Sequence, residues 1–201
     1  MKKLILALAL AGCASGAYAA NTTATLTADN LFYLYSGNAA GNNLVLQGQG
    51  SSWPTPYSFS FDVNPGDYLY VVAQDQGGPQ GWQGYFSTPL GALYSHKASW
   101  DYLVAPDGNI SAAGVMAAIA GGSWAASQAE APYNSGPWGS VVGNVNATWM
   151  WHDNFDASSS DRTYAIFRTV DAVAAIPEPQ TYAMLLAGVG LLGIAARRRK
   201  G

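Results

Sequence analysis

The sequence predicts an all-β ectodomain, a β-sandwich, from three observations. Residues 57–63, Tyr-Ser-Phe-Ser-Phe-Asp-Val, alternate strictly between apolar and polar side chains, the mark of a strand with one buried face. Further short β-rich runs follow at close intervals, separated by Gly, Pro, Asn and Asp, as in a sandwich or barrel. Charged residues make up only 10% of the chain and aromatic ones 12%, and rings of that size fill the space between two sheets. With 23 Gly and 10 Pro in 201 residues, the composition stays below the share that marks a low-complexity disordered chain.

In chain order the strands are expected at 23–28, 31–35, 44–47, 57–63, 67–73, 82–87, 100–104, 147–151 and 163–170. Asn64-Pro65-Gly66-Asp67 is a turn, since Pro presets its own φ and Gly accepts a positive one. It lies between the alternating run and the nearly continuous apolar run 67–73, which predicts a β-hairpin. Residues 111–120 are Ala-rich, begin at Ser111 and end at Gly121-Gly122, a short helix with a Ser cap and a Gly stop. Small and polar residues then dominate 121–143, read as a long surface loop carrying Trp124 and Trp138. Trp149 and Trp151 share one face of a strand and are assigned to the core. No fixed-period repeat is present, so a solenoid or propeller is not expected.

The two ends differ from the middle. Lys2 and Lys3 precede an apolar run and the small residues Ala17-Tyr18-Ala19, the layout of a secretory signal peptide over 1–19 that signal peptidase would remove. The competing reading is a lipoprotein box, Leu10-Ala11-Gly12-Cys13, with lipidation of Cys13. Cleavage after Ala19 would remove the sole cysteine, and with it disulfides, thiolate catalysis and cysteine-ligated zinc. After the ectodomain at 20–175, the segment 176–201 carries Pro177-Glu178-Pro179, an uncharged stretch, and Arg197, Arg198, Arg199 and Lys200. The stretch 181–196 would make a helix of about 24 Å, short against a hydrocarbon core of about 30 Å. It is expected to hold the precursor in the inner membrane as a single-pass transmembrane helix, its basic end cytoplasmic and the ectodomain outside. The prolines keep the peptide before it extended and accessible to a protease.

This tripartite tail resembles the PEP-CTERM sorting signal of Gram-negative bacteria. The resemblance implies that exosortase, a membrane cysteine peptidase, recognises Pro177, Glu178 and Pro179, cuts nearby and passes the protein to the cell surface. It also implies an association with exopolysaccharide and biofilm matrix. More loosely, Ala28-Asp29-Asn30-Leu31-Phe32-Tyr33-Leu34-Tyr35, Gly81-Trp82-Gln83-Gly84 and Trp149-Met150-Trp151 with Phe167-Arg168 look like galactose-binding jelly rolls, in a different order along the chain.

Between residues 20 and 176 only Lys97, Arg162 and Arg168 are basic against eleven carboxylates, so no nucleic-acid partner is expected. Only His96 and His152 could serve as a catalytic base, and no Gly-x-Ser-x-Gly elbow presents a nucleophile. No catalytic residue or cofactor is assigned. Asp153, Asp156 and Asp161 form the densest oxygen cluster and are the candidate calcium ligands, with Asp29-Asn30 a second cluster. Trp53, Trp82, Trp124 and Trp138 sit beside Gly, Pro or Ser and are the candidates for stacking on sugar faces; the alternative is that they plug the space beneath loops. The expected protein is therefore a secreted or surface-sorted, non-enzymatic sandwich of the matrix with glycan contacts. The alternative is a carbohydrate-active enzyme or its accessory binding module.

Overall fold

The structure, a computed structural model, describes residues 19–105, 110–127, 129–155, 164–174 and 188. Strand β1 (Ala20–Asp29) leads directly into β2 (Leu31–Gly37), followed by β3 (Val45–Gly50), β4 (Tyr57–Val63), β5 (Tyr68–Gln74) and β6 (Gly81–Thr88). Then come β7 (Gly91–Tyr94), β8 (Trp100–Val104), the helix α1 (Ala112–Gly121), β9 (Ala125–Ala126), β10 (Ala129–Ala131), β11 (Trp149–Trp151) and β12 (Tyr164–Thr169). One antiparallel sheet has the order β10-β11-β6-β1-β4, with β7 also on β6; the other has the order β3-β2-β5-β12-β8-β9. All of these strands lie in the compact unit Ala19–Ala175. The architecture is a β-sandwich, as the sequence predicts.

The hairpin expected around Asn64–Asp67 does not form. β4 pairs with β1 in the first sheet, whereas β5 pairs with β2 and β12 in the second. The turn is real, with Gly66 at φ 83°, but it carries the chain from one sheet to the other. Burial explains the choice. Ser58, Ser60 and Asp62 of β4 face solvent, so that strand suits an edge. Leu69, Val71 and Ala73 of β5 enter the core between the sheets while Tyr70 and Val72 belong to a second apolar cluster. A strand apolar on both faces is stable only where both faces are covered.

Three layers result. Between the sheets, Leu26, Phe61, Val63, Trp82, Phe86 and Trp151 meet Phe32, Leu34, Leu69, Val71, Trp100 and Phe167. Trp82 is central, edge-on to Trp100 at 4.9 Å and 5.5 Å from Phe167. Beyond the second sheet, α1 sets Val115 and Ile119 against Tyr35, Tyr70, Val72, Tyr164 and Ile166. The helix starts as its sequence suggests, with the Ser111 hydroxyl accepting from the Gly114 amide at 3.2 Å, which satisfies one amide of its first turn. At one margin of the sandwich, glycines admit rings. A Cβ on Gly48 would lie 2.4 Å from Phe59, and one on Gly50 2.6 Å from Tyr57; these rings of β4 pack edge-on to Phe32 of the facing sheet.

The stretch 121–143 is more than a surface loop. It contains β9 and β10, and it buries Trp138 and Val142. Gln83 of β6 anchors it: its amide nitrogen donates to the carbonyls of Tyr133 and Ala147, both at 2.9 Å, and its oxygen accepts from the Val142 amide. Trp149 and Trp151 are both fully buried but in different surroundings. Trp151 meets Phe167, whereas Trp149 stacks on Trp138 and donates to the Gly139 carbonyl. Among the described residues, no helix is long and apolar enough to cross a membrane.

Candidate functional site

Several sequence-predicted positions lie outside the described residues: Cys13, Asp156, Asp161, Pro177, Glu178, Pro179, Arg197, Arg198, Arg199 and Lys200. The compact unit itself ends on a clamp. The Gly66 amide donates to the Ala174 carbonyl at 3.0 Å, and the Val173 amide to the Asp67 carbonyl at 2.8 Å.

The four candidate tryptophans divide. Trp82 is completely buried and Trp138 is 6% exposed, so neither presents a face to a sugar, and the stacking expectation is corrected for both. The glycines beside Trp82 mark close packing rather than a loop. A Cβ on Gly84 would lie 2.8 Å from Leu26, and one on Gly81 would touch the rings of Trp138 and Trp149. Trp124 is half-buried, and the Arg168 guanidinium occupies one side of its ring at 4.1 Å, a cation–π contact that closes that face. Trp53 is half-buried in the β3–β4 connection, with its backbone carbonyl held by the Thr27 hydroxyl at 2.8 Å.

The two histidines lie in separate surroundings. His96 is exposed and 3.5 Å from Glu130, whose carboxylate also accepts from the Thr148 hydroxyl. His152 is buried between the rings of Tyr102 and Trp151, with Nδ1 3.4 Å from the exposed Asp153. Burial pulls the His152 pKa below the usual imidazole value, and the Asp153 charge only partly opposes this. A cleft of about 280 Å³ opens between the β6–β7 hairpin and the segment after β12, lined by Thr88, Leu90, Leu93, Ser99, Thr169 and Asp171 among others. No histidine lines it.

The most unusual polar geometry lies where two crossovers between the sheets meet, at the β1–β2 and β5–β6 connections. The Asn30 amide donates to the Gln74 carbonyl at 3.1 Å, and the Gln76 amide to Asn30 Oδ1 at 2.6 Å. Gly81 pairs with Asp29, which brings the preceding residue, Gln80, to the same end. Asp29 and Asp75 are both buried there. Asp29 Oδ2 accepts from Trp138 Nε1 at 2.7 Å, and its Oδ1 from the Asn30 side chain at 2.9 Å. Asp75 Oδ1 accepts from the Gly77 amide at 2.8 Å, but Asp75 Oδ2 and Gln80 Oε1 are buried without any hydrogen-bond partner. Gln80 uses its nitrogen on the Asn154 carbonyl.

Burial raises the pKa of Asp29 against the lowering effect of the Trp138 bond. Burial also raises that of Asp75; the Gly77 and Gln76 amides oppose the rise, and the nearby Asp29 charge adds to it. The charged contacts among the described residues are Arg168–Asp101 and, where the histidine is protonated, His96–Glu130 and His152–Asp153; none involves Asp29 or Asp75. Sequence reading singled out Asp29 but missed Asp75 and Gln80. The signal lay in Gln74-Asp75-Gln76, a carboxylate placed immediately after an apolar strand.

Comparison with known proteins locates the functional signal of the chain at its end. Residues 175–200 match the PEP-CTERM protein-sorting motif. The chain thus carries a sorting signal of that class directly after the sandwich. No curated protein and no solved structure matches the chain.

Proposed function

We propose that this is an exported, non-enzymatic protein of a Gram-negative envelope, which exosortase releases at its C-terminal signal and passes to the cell surface. The PEP-CTERM match over residues 175–200 carries this reading. Pro177, Glu178 and Pro179 are the recognition peptide, and the uncharged stretch with Arg197, Arg198, Arg199 and Lys200 holds the precursor in the inner membrane until cleavage. Signal peptidase acts first, at the N-terminal signal. The sandwich, taken as a galactose-binding-like jelly roll, is the cargo, and its destination is the exopolysaccharide matrix. Trp124 has Arg168 over its ring and packs against the second apolar cluster, so of the four tryptophans Trp53 is taken as the one that stacks on a glycan.

One fractionation experiment tests both parts. Cells would express the wild-type chain, a triple Pro177→Ala, Glu178→Ala, Pro179→Ala variant, and Trp53→Ala. The triple variant is expected to accumulate uncleaved in the inner membrane. Trp53→Ala is expected to be cleaved normally but recovered less in the polysaccharide fraction. Normal release of the triple variant would overturn the sorting assignment; undiminished matrix recovery of Trp53→Ala would overturn the sugar contact.

A further inference from the structure

The shared end of the β1–β2 and β5–β6 crossovers holds two buried carboxylates and a buried amide, and no ion pair among the described residues involves them. Asp29 is 5% exposed, Asp75 0% and Gln80 3%. Ionised carboxylates removed from water need a cation or a full shell of donors. Asp29 has donors for both oxygens; Asp75 has none for Oδ2. Gln80 Oε1 is a second orphaned acceptor. Buried polar atoms in native structures are almost always paired, so two unpaired acceptors at one end of the fold require an explanation.

The connections bring these residues to one end of the sandwich. Asn30 bonds to both Gln74 and Gln76, which places Asp75 against the Asp29–Asn30 link. The Asp29–Gly81 register brings Gln80 there from the other side. Gln80 is held by the Asn154 carbonyl; the next residue, Phe155, packs edge-on to Trp138, and Trp138 in turn bonds Asp29. The circuit closes on itself.

We infer that Asp29, Asp75 and Gln80 form an oxygen-only site for a calcium ion, with Asp75 Oδ2 and Gln80 Oε1 as direct ligands and Asp29 supplying the second negative charge. The chemistry selects this ion. The groups include no nitrogen or sulfur donor of the kind zinc favours. Calcium accepts carboxylate and amide oxygens in flexible arrangements of six to eight ligands, whereas magnesium demands a near-ideal octahedron and keeps its waters. This set differs from Asp153, Asp156 and Asp161, and Asp153 is exposed and paired with His152. The chain has one cysteine, Cys13, so no intrachain disulfide can staple the sandwich, and an ion joining two crossovers would do so instead.

The test uses the full-length chain purified in detergent and stripped with EDTA, with calcium chloride as the probe, and it is independent of where the protein is sorted. Titration calorimetry is expected to show one calcium per chain. At a hundredfold excess over Kd, the thermal midpoint is expected to rise by about 5–10 °C. Asp75→Asn is expected to melt in EDTA no lower than wild type, because one buried charge is gone, and to lose the calcium shift. Asp153→Asn is expected to keep it. Terbium bound at the site should luminesce on tryptophan excitation, with a several-fold loss in Trp138→Phe. No heat and no shift with wild type would overturn the site, as would a shift retained in Asp75→Asn or lost in Asp153→Asn. An equal shift with magnesium chloride would overturn the choice of ion.

Discussion

The two ends of β5 present the same problem and solve it differently. At its start, Asp67 is buried in the turn that brings the chain from β4. At its finish, Asp75 is buried in the turn that leads to β6. Asp67 Oδ2 accepts from both the amide and the side chain of Asn64, at 2.8 and 3.1 Å, and the Asp67 amide returns a bond to the Asn64 carbonyl. Val173 and Ala174 then tie the same turn to the end of the compact unit. Asp75 has the Gly77 amide on Oδ1 and the Gln76 amide close to the carboxylate, while Oδ2 is buried without a hydrogen-bond partner. A buried carboxylate satisfied by neighbours three residues away is a structural staple. One left open where two connections distant in sequence meet is a receptor for something else.

The largest effect that would sharpen this contrast is at Trp138, which joins the open end through its bond to Asp29 and its stack on Trp149, 4.6 Å between centroids. Trp138→Ala removes a buried indole and leaves the Asp29 carboxylate short of a donor, so a loss of about 3–5 kcal/mol is expected from the cavity alone. Trp138→Phe keeps most of the packing and should recover the larger share. Chemical denaturation of both variants in EDTA measures the split. If the two are equally destabilised, the Asp29 bond dominates and packing on Trp149 matters little.

At the closed end the expected effect is smaller. Asp67→Ala deletes the acceptor of two Asn64 bonds, at a cost of about 1–3 kcal/mol, and Asp67→Asn should lie between it and wild type. Calcium must leave this difference unchanged, because no orphaned oxygen is described at Asp67. A calcium-dependent cost for Asp67→Ala, read from melts with and without the ion, would erase the distinction between the two ends.

That distinction also marks what could be read in the sequence. Asn64-Pro65-Gly66-Asp67 announces a turn because its determinants are consecutive, and Ser111 announces the helix start for the same reason. The pairing of the flanking strands was not legible, because it depends on α1 covering one face of β5 and the first sheet covering the other. Trp82 and Trp138 looked loop-borne beside their glycines, yet both rings are buried, and beside Trp82 a Cβ on Gly84 would lie 2.8 Å from Leu26. Asp75 and Gln80 were invisible as partners, since what unites them is the register of β1 with β6 and the Asn30 bonds. The sorting signal lies at the other extreme. A peptidase reads it as a linear peptide, so its residue order carries most of the information.

The smallest expected effect concerns His152, two residues before the Asn154 carbonyl that holds Gln80. The groups against its ring are Tyr102, Trp151 and the Asp153 carboxylate. Its pKa in the folded chain lies below the unfolded value of about 6.5, because burial disfavours the imidazolium. Between those two values the unfolded chain binds more protons than the folded one, so stability rises with pH there and falls as the solution is acidified from about 6.5 toward the folded pKa. Denaturation midpoints between pH 7.5 and 5.5 should show this slope, and His152→Phe, which keeps an aromatic ring in contact with Tyr102 and Trp151, should flatten it. A slope that survives His152→Phe unchanged would assign the acid sensitivity to another group.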